Sequence, residues 1–182
     1  MGLSDPRTFG SKNPGATNVL RSGSKPAAIV TLLFDALKGF VPVLLVRLYG
    51  PRYGLQEGTL ALVGLAAFLG HLYPVFFRFQ GGKGVATFIG VVFGVHWILG
   101  IATALTWLII AFFFRYSSLA SLVAAVFAPV YYLLGDRLAW YAETPIAAAL
   151  FAMALLLAWR HRANIQRLLQ GKERRLGAKK AH

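Results

Sequence analysis

Four short polar segments hold nearly all the residue types in this chain that could do chemistry. The first is Gly10-Ser11-Lys12-Asn13-Pro14-Gly15-Ala16-Thr17-Asn18, followed by Arg21. Its hydroxyls, amides, cations and permissive glycines suit a loop that wraps an anion with backbone N–H groups. The plainer reading is a polar lead-in to a helix, with Thr17 or Asn18 as N-cap. The second runs through Gly70-His71-Leu72-Tyr73-Pro74 to Gly81-Gly82-Lys83-Gly84-Val85-Ala86-Thr87. Glycines opening a helix, with an ammonium beside its free N–H groups, make a phosphate site. It is not a nucleotide P-loop, because Phe77 stands where that motif needs Gly and Gly84 where it needs Ser or Thr. Thr87 at the third glycine position also breaks the dinucleotide pattern. The plainer reading is a glycine-rich membrane turn.

The third segment is Arg115-Tyr116-Ser117-Ser118-Leu119-Ala120-Ser121, in which Ser118 reads equally as a helix cap. The fourth is Arg160-His161-Arg162-Ala163-Asn164-Ile165-Gln166-Arg167, continuing to Gly171-Lys172-Glu173. His161 and Asn164, three residues apart, share a helix face. A histidine among arginines favours its neutral form and can accept a proton, while a basic helix at a membrane also simply meets anionic headgroups.

The rest of the chain decides what must position these segments. Of 182 residues, 57% are hydrophobic and 14% charged, with 19 Lys+Arg against 6 Asp+Glu and no Cys. Soluble domains carry about 25% charged residues. The composition argues against a disordered basic tail, a disulfide scaffold and a nucleic-acid-binding domain. It predicts an all-α polytopic membrane bundle.

The apolar runs are Ala27–Leu48, Thr59–Phe77, Gly84–Phe114, Ser118–Leu134 and Thr144–Trp159. As one helix Gly84–Phe114 would reach about 46 Å, well beyond a hydrocarbon core of about 30 Å. A break near Gly94-Val95-His96-Trp97 makes six membrane helices in all, some short. Fifteen of the nineteen basic residues then fall on one side, the positive-inside pattern with both termini cytoplasmic. The organisation expected is a motif loop over 1–26, a transmembrane domain over 27–159 and a basic cytoplasmic tail over 160–182. Asp35 and Lys38, three residues apart inside the first span, read as an ion pair. His71 ends the second span, either as a hydrogen-bonded structural histidine or as a site residue. Basic and small polar segments thus converge on one face of an apolar bundle. That suits a phosphorylated molecule meeting a lipid-soluble one. Only Asp5 and Glu173 are acidic on that face, so no cluster is expected to hold a metal. An organic-phosphate transporter with broken helices is the rival reading.

Taken together, the motifs Gly10-Ser11-x-Asn13-x-Gly15-Ala16-Thr17-Asn18-x-x-Arg21, Gly70-His71-x-Tyr73-Pro74-Val75-Phe76, Gly81-Gly82-Lys83-Gly84-Val85-Ala86-Thr87, Tyr116-x-Ser118-Leu119 and His161-x-x-Asn164-Ile165-x-Arg167-Leu168 resemble the bacterial acylphosphate:glycerol-3-phosphate acyltransferases, the PlsY family. The resemblance runs from about Asp5 to Arg174. It implies an inner-membrane enzyme, active on the cytoplasmic face, that moves a fatty acyl group from acyl-phosphate to the sn-1 hydroxyl of glycerol 3-phosphate. The products would be lysophosphatidic acid and phosphate, in phospholipid synthesis. No cofactor or metal is implied. The partners implied are both substrates, membrane lipids and the soluble enzyme that supplies acyl-phosphate.

Carried over residue by residue, Ser11, Asn13, Arg21, Ser118, His161 and Asn164 become catalytic candidates. Asn18, Gly81, Gly82, Lys83, Gly84 and Thr87 become candidates for holding substrate phosphate. Asp35, Lys38, His71 and Glu173 are assigned to structure. His161 or the substrate's own phosphate would take the hydroxyl proton. Two departures stand out. Family members usually carry one more transmembrane helix before the first motif, seven in all, whereas Ser11 here lies about ten residues from the start. Lys12 replaces a usual Gly, and Arg78 stands where a smaller residue is common.

Overall fold

A computed structural model describes residues 5–11 and 13–177 of the chain. Lys12, Lys179 and Lys180, counted above among the cytoplasmic cations, lie outside the described residues. The described residues form helices α1 (Ala16–Arg21), α2 (Lys25–Tyr49), α3 (Glu57–Leu72), α4 (Val85–Val95), α5 (Trp97–Phe114), α6 (Ser117–Leu134), α7 (Thr144–Arg160) and α8 (Arg162–Leu169). All six apolar segments expected from the sequence are helical, and the chain is a polytopic membrane bundle. Four are long and apolar enough to cross a bilayer: α2 and α3, each with the turn that follows it, α5 and α6. The pair α7 and α8 meets the same standard together, bent by 61°. Helix α4 does not reach it. Its 11 residues span roughly 16 Å, about half of a hydrocarbon core.

The expected break is a single residue. His96 is extended (φ −158, ψ 131) and serves as both C-cap of α4 and N-cap of α5. Its ring packs 4.7 Å from that of Trp140, so the corner is wedged by aromatic contact. The described part of the first loop holds one short helix, α1. Its N-cap is Gly15, with no side-chain cap, so neither Thr17 nor Asn18 caps it.

The core lies where α3, α4, α6 and α7 meet, around Phe68, Phe88, Val92, Tyr132 and Leu150, each at most 2% exposed. The outward faces are apolar too, with Leu33, Phe34, Leu108 and Phe112 bare. This is the arrangement a lipid solvent permits, since burial there removes no apolar area from water. Association must come from close packing instead, and α2 against α4 shows how. A Cβ on Gly39 would lie 2.3 Å from the Thr87 carbonyl oxygen, and one on Gly90 would lie 2.0 Å from that of Ala36. Gly94, one turn beyond Gly90, lies against the Val43 side chain and, at 3.1 Å from an added Cβ, the Phe40 carbonyl oxygen. The backbones touch, and the Gly90-x-x-x-Gly94 stripe is what lets them.

A side chain at Gly90 must therefore separate α2 from α4. Gly90→Val should lower the thermal midpoint in detergent by several degrees, as overpacking of about 1–3 kcal/mol implies. Gly58→Ala, where nothing lies within 4 Å of the added Cβ, should leave it in place. Equal melting of the two variants would refute the packing assignment.

Candidate active site

The four polar segments meet at one end of the bundle, around the carboxylate of Glu173. Its side chain is 6% exposed. One oxygen accepts from Ser118 Oγ at 2.7 Å and from Asn164 Nδ2 at 2.6 Å. The other accepts from Arg167 Nε at 2.7 Å. Lys83 donates its ammonium to Asn164 Oδ1, which completes a chain from the loop before α4 through α8 to α6. Every member is a partner of opposite polarity, as a buried carboxylate requires. Burial alone would push the Glu173 carboxyl up, but the hydrogen bonds from Asn164, Ser118 and Arg167 outweigh it and hold it below the ordinary carboxylate range.

The local folding that delivers these groups is specific. Gly84 is the N-cap of α4 in the left-handed region (φ 84), and a Cβ there would also strike the Phe68 ring at 2.4 Å. Gly81 lies against the carbonyl oxygens of His71 and Leu72, at 2.1 and 2.5 Å from an added Cβ. Gly82 lies against the His71 ring, with an added Cβ 2.2 Å from Nε2. The glycine-rich loop is thus pressed flat onto the end of α3. Each glycine has a steric reason besides any contact with an anion. On the other side, Arg160 Nη2 donates to the Gly81 and Gly82 carbonyl oxygens at 2.8 and 3.1 Å. Lys83 projects from this clamped loop beside the first-turn N–H groups of α4, which no helix can satisfy internally.

The α7–α8 bend supplies His161, which is 2% exposed. Its Nδ1 lies 2.8 Å from the Leu157 carbonyl oxygen, an acceptor only. Nδ1 therefore carries the proton and Nε2 keeps its lone pair. Burial, then the charge of Lys83, pushes the imidazole down to about 4, so it is neutral at pH 7. Lys83 itself is lowered to about 8, first by burial and then by Arg167, Arg21 and Arg160, with Glu173 opposing. Arg21 is lowered by burial and by Arg174 and Arg167, again opposed by Glu173; a guanidinium stays charged regardless. One carboxylate thus stands among Lys83, Arg21, Arg160, Arg167 and Arg174. The surplus is positive and concentrated, as an anion site needs.

The sequence candidates divide accordingly. Lys83, Arg21, Ser118, His161 and Asn164 come together. Glu173, assigned to structure, is the hub that joins them. Ser118 is not a cap, since the N-cap of α6 is Tyr116. Thr87 is fully buried at the α2–α4 contact, and its hydroxyl has no partner among the described residues. Asn18 is 1% exposed and spends its amide on the loop, accepting from Ser11 N–H at 3.0 Å and donating to the Pro6 and Phe9 carbonyls. This makes it a staple of the motif loop. Ser11 is exposed, and no described contact ties its hydroxyl or the Asn13 amide to the network. Thr17 Oγ1, 3.3 Å from Ser117 Oγ, docks α1 onto the start of α6.

Asp35 accepts from Lys38 at 2.6 Å, and His71 Nδ1 lies 3.4 Å from the same oxygen. His71 therefore links this pair to the glycine loop. The segment expected as a separate tail folds back as far as Gly177. Leu176 N–H donates to the Arg115 carbonyl, Arg115 to the Leu176 carbonyl, and Arg175 to Tyr116 Oη. Sequence reasoning missed Arg160 and Arg167. Both stand in the run of cations around His161, and Arg167 is also a named position of the His161-x-x-Asn164-Ile165-x-Arg167-Leu168 motif.

A profile of the family described as Glycerol-3-phosphate acyltransferase matches residues 1–171. A glycerol-3-phosphate acyltransferase of Albidiferax ferrireducens is 70% identical over 179 residues, covering 98% of this chain and 80% of its own. That of Burkholderia multivorans is 64% identical over 182 residues, covering 99% and 82%. Two crystal structures of PlsY (YgiH), an integral membrane glycerol 3-phosphate acyltransferase, share 40% identity with the chain. The glycerol 3-phosphate form has a TM-score of 0.87 over 96% of this chain and 83% of that one. The lysophosphatidic acid form has 0.83 over 92% and 81%. With its cluster of cations at one end of an apolar bundle, and with these likenesses over nearly its whole length, the chain belongs to the glycerol-3-phosphate acyltransferase family.

Proposed function

We propose that this chain transfers a fatty acyl group from acyl-phosphate to the sn-1 hydroxyl of glycerol 3-phosphate at the cytoplasmic face of the bacterial inner membrane. The observation that carries this reading is the cluster of Lys83, Arg21 and Arg167 around a single carboxylate, beside the N-terminus of α4 and between lipid-facing helices. Relatives captured with glycerol 3-phosphate and with lysophosphatidic acid support the acceptor and the product. An organic-phosphate transporter is not favoured, because the cations gather at one end of the bundle.

The mixed anhydride is already activated, so the glycerol hydroxyl attacks the acyl carbon directly. The new ester C–O bond forms as the bond from that carbon to the phosphate oxygen breaks. The hydroxyl proton leaves with the released phosphate. His161, held down at about 4, is too weak a base to compete for it at pH 7. Its Nε2 instead accepts and orients the hydroxyl. Lys83, Arg21 and the first-turn N–H groups hold phosphate, so catalysis is positioning and charge stabilisation.

Phosphate release from acyl-phosphate should require glycerol 3-phosphate and yield lysophosphatidic acid. His161→Ala should lower kcat while keeping the wild-type pH inflection. A protein inert to both substrates would sink the activity, and an inflection lost with His161 would return the proton to the imidazole.

Lys83 supplies a pH signature. It is charged below about 8 and neutral above, whereas an ordinary lysine stays charged to 10.5. The KM for glycerol 3-phosphate should therefore climb above pH 8, approaching about tenfold per unit. Lys83→Arg, charged throughout, should flatten that rise. Lys83→Ala at pH 7 should raise KM roughly ten- to a hundredfold, the worth of about 1.5–3 kcal/mol for a hydrogen bond to a charged group. A pH-independent KM in the wild type, or an unchanged KM in Lys83→Ala, would remove Lys83 from the acceptor site.

A further inference from the structure

Arg160 ends α7, one residue before the bend that carries His161. Its guanidinium meets no carboxylate among the ion pairs of the described residues. It lies over the Tyr73 ring at 5.6 Å, and Nη2 is shared between the carbonyl oxygens of Gly81 and Gly82. Its Nε is buried with no acceptor in reach. A charged head used in this way is engaged with two peptide planes.

Those planes have consequences for the residue that follows. In a trans peptide the C=O and the next N–H point in opposite directions. The plane between Gly81 and Gly82 is strung across the site: its carbonyl accepts from Arg160, and its N–H reaches the His71 carbonyl at 3.3 Å. The plane between Gly82 and Lys83 also has its carbonyl drawn to Arg160, so the Lys83 N–H is turned away from α7. None of the described backbone carbonyls accepts it. Glycines could otherwise let both planes rotate freely. Gly81 and Gly82 have no side chain with which to hold themselves, and their close approach to His71 forbids one.

We infer that Arg160 is a positioning residue for the acceptor phosphate: it fixes the two peptide planes before Lys83, and so aims the Lys83 N–H and ammonium, without itself binding the phosphate. This rests on the reading that the Gly81–Thr87 loop holds glycerol 3-phosphate. It couples α7, which bears His161, to the loop that bears Lys83. The two sides of the reaction are then held in one frame.

The test pairs kinetics with amide hydrogen exchange of the substrate-free protein in detergent. Arg160→Ala should speed exchange at Gly82, whose N–H is held by the His71 carbonyl, and raise the KM for glycerol 3-phosphate, each by at least about tenfold, while kcat moves by less than about threefold. Arg160→Gln, neutral but still able to donate to a carbonyl, should recover most of both losses. It is also the variant to rely on if the alanine form fails to fold. A raised KM in both variants with unchanged exchange would overturn the inference, because Arg160 would then touch the phosphate directly. Unchanged KM and exchange would overturn it as well. Faster exchange with an unchanged KM would instead show that the loop does not hold the acceptor, which fails the underlying reading.

Discussion

A carboxylate buried among cations is the constraint on which this site depends. Glu173 cannot be desolvated without partners, and the partners it takes come from α6 and α8. By satisfying it, Ser118, Asn164 and Arg167 draw residues 170–177 back over the bundle. Asn164 then has its carbonyl oxygen free for Lys83. The same charge offsets part of the repulsion among Lys83, Arg21 and Arg167, which no apolar bundle would otherwise hold so close. Because the cations outnumber it, the site remains short of negative charge.

The second constraint is length. Helices α4 and α5 start from one corner at His96, but α4 has 11 residues and α5 has 18, so α4 is roughly 10 Å the shorter. The close packing of α4 on α2 through Gly39, Gly90 and Gly94 keeps so short a helix in place.

Much of this was legible in the sequence, and the remainder was hidden for physical reasons. Apolar runs and charge asymmetry revealed the helices, their order and the break at His96, because a bilayer demands long apolar segments and sorts cations by side. The motif residues Lys83, Ser118, His161 and Asn164 were visible as chemistry stranded on one face. Their pairings were not. Lys83 meets Asn164 across 81 residues, and Ser118 meets Glu173 across 55. No local period reports contacts of that range. Glycines in a phosphate-like loop suggested backbone donors, yet Gly81, Gly82 and Gly84 are each required by a neighbour pressed against them. Sequence tells that a side chain is absent, not what fills its place. Asn18 and Thr87 are likewise polar residues in a promising motif, and their burial was not visible in the sequence.

If Glu173 acts on the acceptor, it does so through Asn164 and Lys83. A double-mutant cycle on kcat/KM for glycerol 3-phosphate, with Lys83→Ala and Glu173→Gln, measures that directly. If the network holds the ammonium in place, Glu173→Gln should cost far less once Lys83 is gone, with a coupling of at least about 1 kcal/mol. Losses that simply multiply would mean that the carboxylate and the ammonium act independently, and would contradict this account.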